Sequence, residues 1–104
     1  MATIVEFTET PDLIAKYDEL VMTNDFFIVY LTGGIDPATN ANWCPDCVDA
    51  QPHIDSKIMQ KTTFTILKGI VNDKTTWVGV ADHPYKKHPV LKAGGVPCVI
   101  LCQG

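Results

Sequence analysis

The sequence predicts one α/β domain: a mixed central sheet, parallel in part, with helices on both faces. Three observations carry this expectation. Strand-like apolar runs alternate with helix-like segments in the order β-α-β-α-β-(short α)-β, the pattern of a sheet with crossover connections. The chain has 104 residues, the length of a single core, and its 46% apolar content lies far from the disordered range. The pair Cys44–Cys47 falls where an apolar run gives way to a helical segment.

Residues 3–7 (TIVEF) alternate apolar and polar and read as the first strand. Thr10 is placed to cap a helix, with Pro11 at the first helical position, where a missing N–H costs nothing. Leu13, Ile14, Tyr17, Leu20 and Val21 then recur at helical spacing, and Thr23-Asn24-Asp25 closes the helix. Phe26–Leu31 is apolar at every position, as a strand buried on both faces requires. Residues 32–42 (TGGIDPATNAN) read as a loop leading into the cysteine motif, and loops of this length in small domains tend to be functional. A helix is expected from Pro45 to about Lys61, bent at Pro52, which withholds a hydrogen bond from the Val48 carbonyl. Residues 63–71 (TFTILKGIV) form a third strand. Between 72 and 95, Pro84, Pro89 and Gly94-Gly95 leave room for one short helix near Tyr85–Lys92. Val96–Cys102 is the last strand. No internal repeat and no low-complexity stretch interrupts this order.

Charge and patterning exclude several classes. The net charge is −4 and every basic residue is a lysine, which argues against nucleic acid as a partner. Lys86-Lys87, the single basic doublet, reads as a solvated face. No apolar run reaches the roughly 18–20 residues a membrane span needs. The start of the chain, MATIVEF, has neither the basic nor the apolar region of a signal peptide. The expected location is a reducing, cytoplasmic compartment, where a CxxC is catalytic or metal-bound more often than structural.

Two cysteines three positions apart close a small disulfide or grip a metal. Cys44 falls at or beside the start of a helix. The unpaired N–H groups there favour negative charge and lower a thiol's pKa. Pro45 suits the first helical position and stiffens the turn. Cys47, one turn on, is expected to be more buried. Cys98 and Cys102 share one face of the last strand and behave as small hydrophobes when buried. Together the four cysteines also permit a zinc or iron–sulfur reading. His53, His83 and His88 lack metal-ligand spacing and suit surface or loop-capping roles.

The order of elements, with Trp43-Cys44-Pro45-Asp46-Cys47 at the second strand–helix junction, resembles the thioredoxin family. Pro52 lies where that family kinks its active-site helix, and Val96-Pro97 where it carries a cis-proline. The WCPDC sequence and the long approach to it resemble the small cytosolic thioredoxin-related proteins. The resemblance spans residues 3–102 and implies the following. The fold is the thioredoxin fold. Cys44 is the nucleophile of a protein-disulfide reductase and Cys47 the resolving thiol. Trp43 shields the pair. Pro97 is cis and frees the Val96 backbone to pair with an extended substrate. Substrates are disulfide-bearing proteins or small molecules, no cofactor or metal is bound, and electrons come from thioredoxin reductase and NADPH.

The chain departs from the family pattern in three places. No acid lies on the second strand, where Val29 takes the place of a buried Asp; Asp46 is the candidate substitute, as a helix-dipole partner or a modulator of Cys47 protonation. Cys98 stands where a Thr usually follows the cis-proline, which makes it a candidate redox or regulatory thiol. The chain stops at Gly104, ahead of the family's last strand and C-terminal helix. An unpaired strand edge is then expected, and either a second copy covers it in a homodimer or the sequence is an incomplete version of a longer one. A non-catalytic binding module is the other reading that the sequence leaves open.

Overall fold

The computed structural model describes residues 3–23, 26–60 and 63–103. Strand β1 (Thr3–Phe7) leads into helix α1 (Thr10–Val21) and strand β2 (Phe26–Gly33). A short hairpin, β3 (Ile35–Asp36) and β4 (Ala41–Asn42), precedes helix α2 (Pro45–Ile54). Strand β5 (Thr65–Val71), the one-turn helix α3 (Pro84–Lys87) and strand β6 (Cys98–Gln103) complete the order. The four long strands form one mixed sheet in the order β1-β5-β2-β6. β5 runs parallel to both β1 and β2, while β6 is antiparallel to β2.

Strand alternation sorts the apolar residues onto two faces. Phe27, Val29, Leu31 and Leu67 join Leu13 and Tyr17 of α1, and Trp77, Tyr85 and Leu91 from the segment after β5, in the main core. Ile28, Tyr30 and Ile66 face the other way, against Ile54 and Ile58. β2 is therefore buried on both faces, which explains its unbroken apolar run. Gly69 lets α1 approach: a Cβ there would lie 2.8 Å from both Leu13 Cδ1 and Leu31 Cδ2. Leu13 is fully buried at that contact, and truncating it to Ala is expected to cost about 2–5 kcal/mol.

Several local expectations need correction. The N-cap of α1 is Glu9, not Thr10, and no side chain bonds the helix start; Thr10 and Pro11 are already helical. The stretch 32–42 is not a bare loop. β2 continues to Gly33, and the β3–β4 hairpin closes through Asn40, whose φ of 54° is the left-handed conformation that Asn tolerates. Asp36 also accepts a bond from the Ala38 N–H through its side chain. Its turn-forming residues thus disguise a hairpin as a loop.

Helix α2 ends at Ile54, short of Lys61, and widens into a π-helical turn over Asp55–Met59. The change follows Pro52, which has no N–H to offer the Val48 carbonyl. The expected helix Tyr85–Lys92 is the shorter α3. His88, ahead of Pro89, is pushed to ψ 130° and ends it. The last strand starts at Cys98 rather than Val96: its pairing with β2 begins at Cys98, opposite Leu31, and the Val96–Pro97 peptide before it is cis. Among the described residues β6 pairs on one side only, with Val99 and Leu101 exposed. The ends of the first turn at Asn24-Asp25 lie outside the described residues.

Candidate redox-active dithiol site

Cys44 is the residue from which α2 departs. Its backbone is extended (φ −114°, ψ 95°), and Pro45 takes the first helical position as expected. Its Sγ caps the helix, accepting the Cys47 N–H at 3.3 Å. Its own N–H donates to Asn42 Oδ1 at 2.9 Å, which ties the motif to the end of the hairpin. Cys47 is 1% exposed against 6% for Cys44, and its Sγ accepts the Gly33 N–H at 3.3 Å. The two cysteines are joined by a disulfide, with Cα atoms 5.3 Å apart. Each sulfur is thus met by a backbone N–H, which favours the thiolate over the thiol once the bond is reduced.

Gly33 makes room for this arrangement. A Cβ there would lie 2.7 Å from Cys44 Cβ and 3.1 Å from the Trp43 ring. Trp43 is held over Gly33 from both ends. Its indole N–H donates to the Val71 carbonyl at 2.6 Å, and its backbone N–H to Gly34 at 3.3 Å. Gly33 and Asn42 are the contributors that a reading of 32–42 as loop misses. The Gly33-Gly34 pair at the end of a buried strand was the available signal.

Val96 comes to the site from 52 positions further along the chain: its carbonyl oxygen lies 3.7 Å from Cys44 Sγ. The cis peptide to Pro97 sits directly behind it. The structure therefore brings WCPDC and Val96-Pro97 together. Asp46 is exposed on the first turn of α2. Val29 is fully buried in the main core. Cys98 is half-buried beyond Pro97, opposite Leu31 in the register, and Cys102 is buried opposite Phe27. Both are free, and burial pushes both thiols up. Of the histidines, His83 and His88 accept backbone N–H bonds in their own turns, as capping predicts, but His83 is buried rather than on the surface. Among the described residues no three Cys, His, Asp or Glu side chains gather into a metal-binding group. Nor is any helix among them long and apolar enough to cross a membrane.

The family described as "Thioredoxin domain-containing protein 17-like, thioredoxin domain" matches residues 4–104. The chain belongs to this family. Its fold is accordingly a thioredoxin domain, with helices on both faces of a mixed sheet. "Thioredoxin-like protein Clot" of Arabidopsis thaliana is 32% identical over 90 residues, covering 86% of this chain and 66% of that protein. The rice protein of the same name is 29% identical over 99 residues. A Leishmania infantum protein named "Acireductone dioxygenase" is 33% identical over 84 residues, covering 70% of this chain. The match spans 23% of that relative's length. Family and bonded cysteine pair together give the domain a redox-type, thioredoxin-like character.

Proposed function

We propose that the protein is a thiol–disulfide oxidoreductase that reduces disulfides of proteins or small molecules through Cys44 and Cys47. The observation that carries this reading is the position of Cys44 Sγ. It caps the start of α2 and faces the Val96 carbonyl beside the cis-proline. A sulfur so placed is stabilised as thiolate by the helix N–H groups and stands next to a backbone that can take an extended substrate. In the reduced enzyme the Cys44 thiolate attacks one sulfur of a substrate disulfide; a mixed disulfide forms and the first substrate thiolate leaves. Cys47 loses its proton and attacks Cys44 Sγ, closing the Cys44–Cys47 bond and releasing the second thiolate. Two electrons have passed to the substrate. Thioredoxin reductase, drawing on NADPH in a reducing cytoplasm, is the proposed source of the next pair. Trp43 keeps water from one side of the dithiol, and Gly33 N–H steadies Cys47 Sγ. Asp46 is the proposed neighbour that modulates the Cys47 proton.

The test is NADPH oxidation by thioredoxin reductase in the presence of this protein and insulin or a small disulfide. Dependence of the rate on the protein supports the reading. A reduced Cys47→Ser variant should retain its substrates as mixed disulfides on Cys44. If NADPH is not consumed and nothing is trapped, the protein is not a disulfide reductase.

A further inference from the structure

Hydrogen bonds close a ring around the Cys44–Cys47 disulfide, and Asn42 supplies the side chain in it that is not a cysteine. The Gly33 N–H donates to Cys47 Sγ at 3.3 Å. The Cys47 N–H donates to Cys44 Sγ at 3.3 Å. The Cys44 N–H donates to Asn42 Oδ1 at 2.9 Å. Asn42 Nδ2 donates to the Gly33 carbonyl at 3.3 Å and returns the ring to its start. These partners fix which way the Asn42 amide points, because a backbone N–H can only donate and a carbonyl can only accept.

Asn42 stands two positions before Cys44, the spacing at which an Asn side chain accepts from its own backbone in an Asx turn. It ends β4 opposite Ile35 of β3, which brings its amide nitrogen back to the Gly33 carbonyl. Thr32 Oγ1 donates to the same carbonyl at 3.3 Å. One side chain thus links the end of β2 to the start of α2, the two elements that supply the donors to the sulfurs. Asn42 is half-buried and both cysteines are buried, so water competes little for these bonds. A donor stabilises a thiolate most when it is held in place before the charge develops. Apart from the two thiols the ring holds no titratable group. Asp46 and Asp49 on α2 are exposed, and Asp36 on β3 is half-buried. The Val96 carbonyl, which meets Cys44 Sγ at 3.7 Å, carries no charge.

We infer that Asn42 is a positioning residue for both thiols. It holds the Cys44 backbone with Oδ1 and the Gly33 carbonyl with Nδ2, and so keeps the two N–H donors on the two sulfurs once the disulfide is reduced. Without this side chain the Cys44 thiolate is weakened. Exchange with glutathione then tips toward the protein disulfide: the dithiol gives two electrons to glutathione disulfide, its own S–S bond forms, and two glutathione thiols are released with the two protons. That this governs substrate turnover rests on the reductase reading; the thiolate and the exchange equilibrium do not.

The test needs no turnover. The reduced protein is alkylated with iodoacetamide across a range of pH, with the Cys44 peptide followed by mass spectrometry, and its exchange with glutathione is measured at pH 7. Asn42→Ala is expected to move the Cys44 labelling midpoint up by about 0.5 or more, which is about threefold less thiolate below the midpoint. The exchange constant for disulfide formation should rise by a similar factor of about three. Asn42→Ser keeps a hydroxyl that can accept the Cys44 N–H but is too short to reach Gly33. It should move both readouts the same way by less, and it decides the matter if the Ala variant does not fold. Asp36→Ala removes a bond to the Ala38 N–H in the same hairpin and leaves the ring intact, so both of its readouts should match the parent. The role is overturned by Asn42→Ala with either readout at the parent value and only a lower denaturation midpoint. Asn42→Ser identical to the parent, or an equal upward shift in Asp36→Ala, also overturns it. Turnover of a small disulfide then separates the two readings. Shifted Asn42 variants of a parent that shows no turnover keep the positioning role and remove the reductase reading. Unshifted variants of a parent that does turn over remove the positioning role and leave the reductase reading intact.

Discussion

The chain carries two cysteine pairs in opposite surroundings. Cys44 and Cys47 sit at the start of α2, where each sulfur receives a backbone N–H. Cys98 and Cys102 sit on β6, on the sheet face that packs into the main core, where burial pushes both thiols up. The first pair is bonded and the second is free. The same side chain thus meets backbone hydrogen-bond donors in one place and apolar packing in the other. One donor comes from the helix start and the other from Gly33 at the end of β2, whereas Cys98 and Cys102 meet the apolar packing of the main core.

The contrast is broken most sharply by removing a sulfur from each pair. Cys44→Ser should lower disulfide turnover by on the order of 10³-fold or more, because the covalent intermediate has no other attachment point. Cys102→Ala should stay within about twofold of the parent, a change too small for a group acting at the transition state. A Cys102→Ala protein as inactive as Cys44→Ser would end the distinction.

Alkylation of the reduced protein sharpens the same contrast by pH. Cys44 is expected to be labelled at neutral pH, well ahead of the other three. Labelling of Cys98 and Cys102 should begin only above the ordinary thiol range, since a raised pKa delays the thiolate. Mass spectrometry of the labelled peptides reads the order.

Stability follows the same sign. A thiol or phenol whose pKa is higher folded than unfolded contributes stability that is fully present below the unfolded value and is lost as pH rises through the folded one. Cys98 and Cys102 are raised, and Tyr85 is pushed up to about 12. Denaturant midpoints of the reduced protein should therefore fall steadily above about pH 9, starting in the thiol range. His83, lowered by burial, acts at the other end: its contribution is present above the unfolded His value and is lost as pH falls through the folded one.

The smaller effects test the scaffold behind each pair. Gly33→Ala places a carbon 2.7 Å from Cys44 Cβ and should cost about 1–3 kcal/mol while disturbing the dithiol. Gly94→Ala, with open space around the new carbon, should change stability by about 0.5 kcal/mol or less. Cys102→Ala should cost roughly 1 kcal/mol as a small cavity in the main core. Chemical denaturation orders the three.

Much of this was legible in the residues. The alternation of β1, the all-apolar β2 and the helical spacing of α1 each follow from a repeat of two or three-to-four residues. Cys44, Pro45 and Cys47 announced a helix start, and Val96-Pro97 was recognisable through the resemblance to thioredoxins. What stayed hidden depends on tertiary neighbours. Gly33 is needed because Cys44 and Trp43 crowd it, and Asn42 because its amide reaches back to the Cys44 N–H. The hairpin inside 32–42 hid behind turn residues that are equally at home in a loop. His83 suits a surface or a loop-capping role from the sequence; it caps, and Trp77 and Tyr85 enclose its ring. No local pattern encodes an enclosure built by residues on both sides of it.

The central claim is that redox chemistry belongs to Cys44–Cys47 and not to β6. It is tested most directly by equilibrating the protein across glutathione redox buffers, quenching in acid, labelling all free thiols in denaturant, and mapping the labels. The account predicts one two-electron transition, with Cys44 and Cys47 changing together and Cys98 and Cys102 labelled as thiols throughout. A disulfide that includes Cys98 or Cys102, or no transition at Cys44–Cys47, would contradict it.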